Sequence, residues 1–494
     1  MAGERRIVLT ENDSTLYEAF KAKDTRFDGR FFVGISSTKI YCRPVCWAKQ
    51  AKKENCTFFS SAAAAEQAGY RPCLLCRPEL APGASVIDAS SALARKAAKL
   101  IEESCGVNQS LELLARKLGC TSRHLRRVFM EEYHVTPIQY LQTCRLLLAK
   151  NLLTDTRLSV LEVAMAAGFG SLRRLNDLFQ KHYHLSPTAL RKSLAAGNIR
   201  TSEITVQLGY HPPYRWKEIL KFLSQRAISG VEKITSEKYM RTVRLLDKNG
   251  AWCSGWISVG DNPKKYTICV TFSDTLVPVL SQVLTRVKRL FDLYCEPEIV
   301  YQTLQTLNEL KPGICVPGLR VPGCFDAFET AVRAILGQQI TVKAASTLAG
   351  RIASTYGTSI ETGIEGLTHT FPHPEDIVSL ENVVEEALGK LGVTAARSKC
   401  IFALAKALEN GEIELDGCMN PETEMKKLMK IKGIGSWTAN YIAMRAMEWP
   451  DAFLETDIGI KHALPGYTPK ELLAMSEKWK PWRSYATMNL WNSL

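Results

Sequence analysis

The sequence predicts a multidomain α+β protein. It reads as a small cysteine-rich domain, an all-α domain of tandem helix-turn-helix units, a mixed α/β subdomain and a helical core around a helix-hairpin-helix element. Three observations predict this. Two close cysteine pairs fall in the first 80 residues, Cys42/Cys46 and Cys73/Cys76. A helix-turn-helix pattern repeats within 84–200, closing each time on a matching phrase, YHVTP at 133–137 and YHLSP at 183–187. After residue 201 the texture changes to alternating strand-like runs and then to helical periodicity broken by glycine.

The chain has 494 residues, enough for about three to five domains. Hydrophobic content of 46% and charged content of 23% exclude a disordered, collagenous or coiled-coil chain. Net charge is +13, and residues 1–200 carry +12 of it. A basic front half on a neutral back half suggests a polyanion-binding part joined to something else. The start MAGERRIVLTENDSTLYEAF has no apolar stretch of signal type, and no run of about 18 apolar residues predicts a membrane span. The 15 cysteines are scattered, which fits a reducing cytoplasm with most thiols free. The expected divisions are 1–83, 84–200, 201–310 and 311–494.

Cys42 and Cys46 enclose three residues, Cys73 and Cys76 enclose two, and 26 separate the pairs. Two such knuckles predict one tetrahedral Zn²⁺ site of four thiolates, which would add folding free energy to a small domain. Cys56 fits neither pair. Phe27, Phe31, Phe32, Tyr41 and Trp47 accompany Arg30, Lys39, Arg43, Lys49, Lys52, Lys53, Arg71 and Arg77, a mixture expected to hold a phosphate backbone near the thiolates. The stretch from DGRFFVGISSTKIYCRPVCW to RPCLLCRPE resembles the zinc-binding N-terminal domain of the Ada adaptive-response family. The resemblance implies irreversible transfer of a methyl group from a DNA methylphosphotriester to the first cysteine of the first pair, Cys42. Methylation would take the site from about –2 to –1 and reduce its repulsion of DNA phosphates.

In 84–200, SLELLARKLGCTSRHLRRVFMEEY gives a helix over Leu111–Leu118, a Gly-Cys turn, and a second helix opened by Thr121–Ser122. Its polar side carries Arg123, His124, Arg126 and Arg127, with Leu125, Val128 and Phe129 inward. The repeat has Ala164 and Ala167 on a slim first helix, Gly168 at the turn, and Ser171 before Arg173 and Arg174. Arginines on the second helix of each unit predict DNA binding through recognition helices near 121–131 and 171–182. The segment resembles the DNA-binding domain of AraC-type regulators, which follows the zinc domain in the Ada family as well.

In the back half, EITVQLGY, TVRLL, AWCSGWISV and KKYTICVTF read as strands, with Asn249–Gly250 at a hairpin turn, and RWKEILKFLSQRA as a helix. Lys432-Gly433-Ile434-Gly435 sits between two helical patterns, so Gly433 and Gly435 let a phosphate approach the amides of the next helix. Asp457 follows Gly435 by 22 residues. HPPYRWKEILKFLSQRA, VPGCFDAFETAVRAILGQQ, KIKGIGSWTANYIAMRA and EKWKPWRSYATMNLW together resemble the alkylation-specific 3-methyladenine DNA glycosylases of the helix-hairpin-helix superfamily.

That resemblance implies a glycosylase core with Asp457 as the catalytic carboxylate and Trp437, Tyr441 and Trp491 as aromatic walls for the extruded base. Glu455 is a neighbouring carboxylate, and Asp457 also reads as a helix N-cap. Trp437 stands where lyase-type relatives carry a Schiff-base lysine, which implies hydrolysis without strand cleavage. No cysteine follows Cys418, so no iron–sulfur cluster is expected. Two departures stand out. Where the best-known relative has a Leu wedge after Gly-Gln, this chain has Gln339 and then Ile340. The Pro-Cys-His-Arg active site of Ada methyltransferase domains is missing, so no O6-methylguanine repair is expected.

The reading is therefore an alkylation-damage repair protein acting on damaged double-stranded DNA and on promoter DNA, with RNA polymerase as a candidate partner. It would be cytoplasmic, bacterial and nucleoid-associated, with no membrane contact. The rival is a transcription regulator with a non-catalytic glycosylase-like scaffold and a purely structural zinc.

Overall fold

A computed structural model describes residues 13–82, 92–103, 105, 110–194, 204–247, 249–418 and 420–494. The boundaries expected at 83/84 and 200/201 lie outside the described residues. The chain divides into two compact units: Met1–Pro212 with Leu245–Cys253 and Asn262–Thr285, and Pro213–Arg244 with Ser254–Asp261 and Arg286–Leu494.

In the first unit, strands Phe32–Ile35, Ile40–Cys42, Cys56–Phe59 and Arg71–Pro72 form a sheet in the order third, first, second, fourth. Side chains alternate across it. Phe31, Val33 and Phe58 pack on one face, and Phe32, Tyr41, Phe59 and Tyr70 on the other. Gly34 lies under this second layer, where a Cβ would come within 2.6 Å of the Phe59 ring. The parallel pairing of Ile40–Tyr41 with Arg71–Pro72 sets the two cysteine pairs side by side. Cys42 ends one strand and Cys73 follows the other, with the Cys73 amide donating to the Tyr41 carbonyl at 3.0 Å.

The helical part follows the repeat read from the sequence. Helices Leu111–Lys117 and Ser122–Tyr133 form the first helix-turn-helix, and Val160–Ala166 and Leu172–Tyr183 the second. Thr121 accepts from the His124 amide and Ser171 from the Arg174 amide, so each recognition helix starts on a hydroxyl cap. The matching phrases have one cause. His134 and His184 end their helices at φ 57° and 54°, and Thr136 and Ser186 then cap the next helices, accepting from the Gln139 and Ala189 amides. Leu125, Phe129, Leu175 and Phe179 are fully buried. Long helix Pro137–Asp155 joins the two halves.

Buried polar contacts tie this helix to the zinc-type sheet. Glu66 accepts from the hydroxyls of Tyr41 (3.1 Å), Tyr183 (3.2 Å) and Thr143 (3.0 Å). Lys150 donates to both oxygens of Glu79 at 2.6 Å, while Arg77 reaches Glu79, Asp155 and Asn151. Strand Ile204–Gly209, paired antiparallel with Thr267–Phe272, joins the same cluster. The Gln207 amide donates to Asp155 and its carbonyl accepts from Asn151, both at 3.3 Å.

In the second unit, Glu232–Ile234 pairs antiparallel with Lys238–Leu246, and helix Trp216–Ser224 packs its apolar side inward. The helical remainder includes Ala327–Leu336, Val342–Tyr356, Ala395–Glu409, Pro421–Leu428, Ser436–Arg445, Ile458–Ala463 and Arg483–Asn492. Arg241 and Glu329 form a buried pair at 2.7 Å, and Arg333 reaches Glu232 and Glu329 at 3.2 and 3.3 Å.

Burial pushes the Glu66 carboxyl from 4.5 up to about 8 against its three hydroxyl donors. The native state therefore holds a proton that the unfolded chain has released, so this group's contribution to stability falls as pH rises from about 4.5 to about 8. Glu66→Gln keeps the shape without the charge. Thermal melts should show the stability difference, variant minus wild type, growing across that window. A difference that is flat with pH contradicts the assignment.

Candidate active site and metal centre

The Sγ atoms of Cys42, Cys46, Cys73 and Cys76 lie within 4.8 Å of one another, and all four residues are buried. Four sulfurs this close compete for protons: neighbouring thiols push Cys42 and Cys76 up and Cys73 down. Four soft donors, buried and unable to ionise together without a counter-charge, are the donor set of a zinc site, and this centre binds zinc through these residues.

Surrounding amides separate the four. The Arg43 amide donates to Cys76 at 3.3 Å and the Leu75 amide to Cys73 at 3.4 Å. Cys46 takes a backbone bond from Ala48. Among the described residues no backbone amide donates to Cys42.

The expected phosphate-holding mixture is only partly at the surface. Phe31, Phe32 and Tyr41 are core residues, and Arg43 is turned inward onto Asp28 and the Cys76 carbonyl. Composition does not tell an inward arginine from an outward one. Trp47 (65% exposed), Arg30, Lys39, Lys49, Lys52 and Lys53 do face solvent. Arg123, Arg126, Arg127, Arg173 and Arg174 are all exposed on their helices.

In the second unit, the helix-hairpin-helix turn joins Pro421–Leu428 to Ser436–Arg445. Gly433 has φ 103°, and a Cβ there would press on Cys400 at 3.2 Å. A Cβ at Gly435 would meet nothing within 4 Å, so the amides at the start of the following helix stand open. Gln338 bolts this turn in place, donating to the Gly433 carbonyl at 2.8 Å and to Thr438 at 3.0 Å.

Beside the turn opens a cleft of about 1430 Å³. Trp437, Tyr441, Asp457 and Trp491 all line it, and Glu455 does not. Asp457 caps helix Ile458–Ala463, its Oδ1 accepting from the Ile460 amide at 3.1 Å. The same carboxylate takes the Trp491 Nε1–H on Oδ1 at 2.8 Å and the Trp437 Nε1–H on Oδ2 at 3.0 Å. The N-cap and active-site readings therefore describe one side chain. Trp437 stacks on Tyr441 (5.3 Å, 14°), and Trp491 stacks on Phe222 (6.1 Å, 16°). Gln339 is exposed at φ 56° and Ile340 half-buried, and both line the cleft.

Sequence reasoning missed Phe222, Arg226, Gln338 and Gly459. Phe222 lies far upstream in a helix whose only visible signal is an amphipathic pattern, and Arg226 lies in the turn that follows it. Gly459 had a signal in its position two residues after Asp457. A Cβ on it would stand 2.8 Å from Trp491 Cδ1 and 3.0 Å from Asp457 Oδ1.

Family models match the metal-binding domain of Ada over residues 15–79, a helix-turn-helix domain over 114–193, the AlkA N-terminal domain over 205–326, and the HhH-GPD superfamily of base excision DNA repair proteins over 332–471. A probable bifunctional transcriptional activator/DNA repair enzyme AlkA of Mycobacterium tuberculosis is 34% identical over 488 residues, 97% of this chain and 96% of the relative. The chain belongs to the AlkA family of bifunctional activators and repair enzymes. DNA-3-methyladenine glycosylase 2 of Escherichia coli is 37% identical over 284 residues, 58% of this chain and 95% of that protein. The bifunctional transcriptional activator/DNA repair enzyme Ada of E. coli is 34% identical over 134 residues, 27% of this chain and 36% of that protein. Among the described residues of this AlkA-family chain, no helix is long and apolar enough to cross a membrane.

Gly459→Ala puts a methyl group between the carboxylate and the indole that holds it. Overpacking of this kind costs about 1–3 kcal/mol. The variant should release bases more slowly while its thermal midpoint falls by only a few degrees. Wild-type rates in a single-turnover assay would show that the close approach of Asp457 and Trp491 is dispensable.

Proposed function

We propose that the second unit is a DNA glycosylase that hydrolyses the N-glycosidic bond of alkylated purines such as 3-methyladenine without cutting the strand, and that the first unit accepts methyl groups from DNA methylphosphotriesters on Cys42. The observation that carries the first part is Asp457, whose two carboxylate oxygens are held by the Trp491 and Trp437 indoles inside an aromatic cleft.

An N-alkylated purine is cationic and leaves readily, so no strong general acid is needed. The base leaves the stack and enters between aromatic walls that favour a flat, electron-poor ring. As the C1′–N bond breaks, its electron pair goes to the base. Asp457 stabilises the positive charge on the sugar and orients the water that adds to C1′. Gly433 and Gly435 present backbone amides to a phosphate. Gln339, exposed at the cleft with φ 56°, and the adjacent Ile340 are the side chains proposed to enter the gap left by the base.

In the first unit, Cys42 Sγ attacks the methyl carbon of the triester. The S–C bond forms, the C–O bond breaks, and the electron pair stays on the phosphate oxygen. Bound zinc keeps the thiols deprotonated at neutral pH. Loss of one negative charge then favours DNA contact by Arg123, Arg126, Arg127, Arg173 and Arg174. On this reading the methylated protein binds promoter DNA, recruits RNA polymerase and works in the bacterial cytoplasm at the nucleoid.

One incubation with methylated duplex DNA reads both activities as free base and as protein mass. Asp457→Asn should slow base release by about 10²–10³-fold and leave the mass gain intact. Cys42→Ala should abolish the mass gain and leave base release intact. Wild-type base release by the first variant would remove Asp457 from catalysis, and a methyl group found on Cys46, Cys73 or Cys76 would move the acceptor.

A further inference from the structure

The solvent side of the thiol cluster is apolar. On the inner side Ala19, Phe20, Phe31, Val33 and Phe58 pack against the four cysteines as core. The outer side is made by the residues inside the two cysteine pairs and the one that follows each. Arg43 turns inward onto Asp28, and Pro44 is buried. Arg77 turns away onto Glu79, Asp155 and Asn151. The residues left in contact with solvent are Val45 and Leu74, both half-buried, and Trp47 and Leu75, 65% and 51% exposed. None of the four carries a polar side-chain atom beyond the Trp47 indole N–H.

Trp47 is the one exposed tryptophan of the nine in the chain; the other eight are buried or half-buried. A lone exposed apolar side chain is ordinary, but apolar side chains grouped at one place mark a contact surface. The backbone holds this group against the sulfurs. The Leu75 amide donates to Cys73 at 3.4 Å, and the Cys46 amide donates to the Arg43 carbonyl at 3.1 Å, closing the first pair into a tight loop from which Trp47 emerges. The exposed cations Lys39, Lys49, Lys52 and Lys53 all lie outside the two pairs.

This arrangement suits the substrate of the methyl-acceptor reading given above, on which the inference rests. Undamaged DNA offers only anionic diesters. A methylphosphotriester has lost that charge and gained a methyl group. An anion brought against an apolar surface gives up hydration without return, and the negative thiolates repel it further. The neutral triester meets neither cost, and its methyl gains from apolar contact. The lysines outside the pairs are placed for the anionic phosphates on either side of the lesion.

We propose that Val45, Trp47, Leu74 and Leu75 form an apolar seat for the neutral methylphosphotriester, and that this seat selects the methylated phosphate from the diesters around it. Trp47, the largest and most exposed of the four, is the main specificity-determining residue.

The test uses the full-length, zinc-loaded protein. Methyl transfer from a methylated duplex is followed by protein mass, with rates expressed per zinc-loaded chain, and binding of the same duplex without methylation is followed by fluorescence anisotropy. Wild type is compared with Trp47→Phe, Trp47→Lys and Leu75→Lys. Trp47→Phe keeps an apolar ring and should transfer at close to the wild-type rate. Trp47→Lys should slow transfer about tenfold, the worth of one apolar side chain, while binding unmethylated DNA more tightly through the added cation. Leu75→Lys should move both readouts the same way. Misfolding weakens both together, so it cannot imitate this opposite movement. A role limited to gripping the DNA backbone predicts that the lysine variants transfer as fast as wild type or faster, and that result overturns the proposal. A loss in Trp47→Phe equal to that in Trp47→Lys overturns it as well. If wild type gains no methyl mass, the methyl-acceptor reading itself fails.

Discussion

The second unit is organised around one carboxylate held from two sides. Asp457 Oδ1 takes the Trp491 indole N–H and a helix-capping amide, while Oδ2 takes the Trp437 indole N–H. Each partner comes from a different helix, so the carboxylate fixes the mutual placement of Ser436–Arg445, Ile458–Ala463 and Arg483–Asn492. The aromatic walls follow from it, since Trp437 carries Tyr441 by stacking and Trp491 carries Phe222. Gly459 permits the approach by having no side chain. Fixed donors on a carboxylate remove the reorganisation that water would otherwise undergo as charge develops on the sugar.

The first unit uses buried polarity differently. Parallel pairing of two short strands sets four thiols together, and the residues flanking them run straight into the helical domain. Tyr41, beside Cys42, meets Tyr183 at the end of the second recognition helix through Glu66. Arg77, beside Cys76, meets the long joining helix at Asn151 and Asp155. Such networks are strongly destabilised when one member is removed, and they link the zinc-binding and helix-turn-helix parts within the first unit.

Much of this was legible in the chain because the signals are local. Cysteine pairs, hydroxyl caps and the distance from Gly435 to Asp457 lie within short windows, and the repeated YHVTP and YHLSP phrases each encode a helix stop and a new cap. What the sequence hid depends on distant partners. Glu66 meets Thr143 and Tyr183, 77 and 117 residues away, and Gln338 meets Gly433, 95 residues away. Arg43 and Tyr41, next to a metal ligand, read from composition as a phosphate surface and are core: Tyr41 sits in a strand of the buried sheet, and Arg43, just after that strand, is held inward by Asp28 and the Cys76 carbonyl. The near-neutral charge of the back half is a sum over local groups. Arg226 and Arg333 line the cleft, while Glu232 and Glu329, paired with Arg333, offset such charges in the overall sum.

The central claim is that the two indoles act through Asp457. A double-mutant cycle on single-turnover base release tests it directly, with Trp437→Phe and Trp491→Phe each made in wild type and in Asp457→Asn. The account predicts a clear loss for each tryptophan change in wild type and little further loss once Asp457 is gone. Equal losses in both backgrounds would mean that the indoles serve the base alone and that the pinned carboxylate is not the organising interaction.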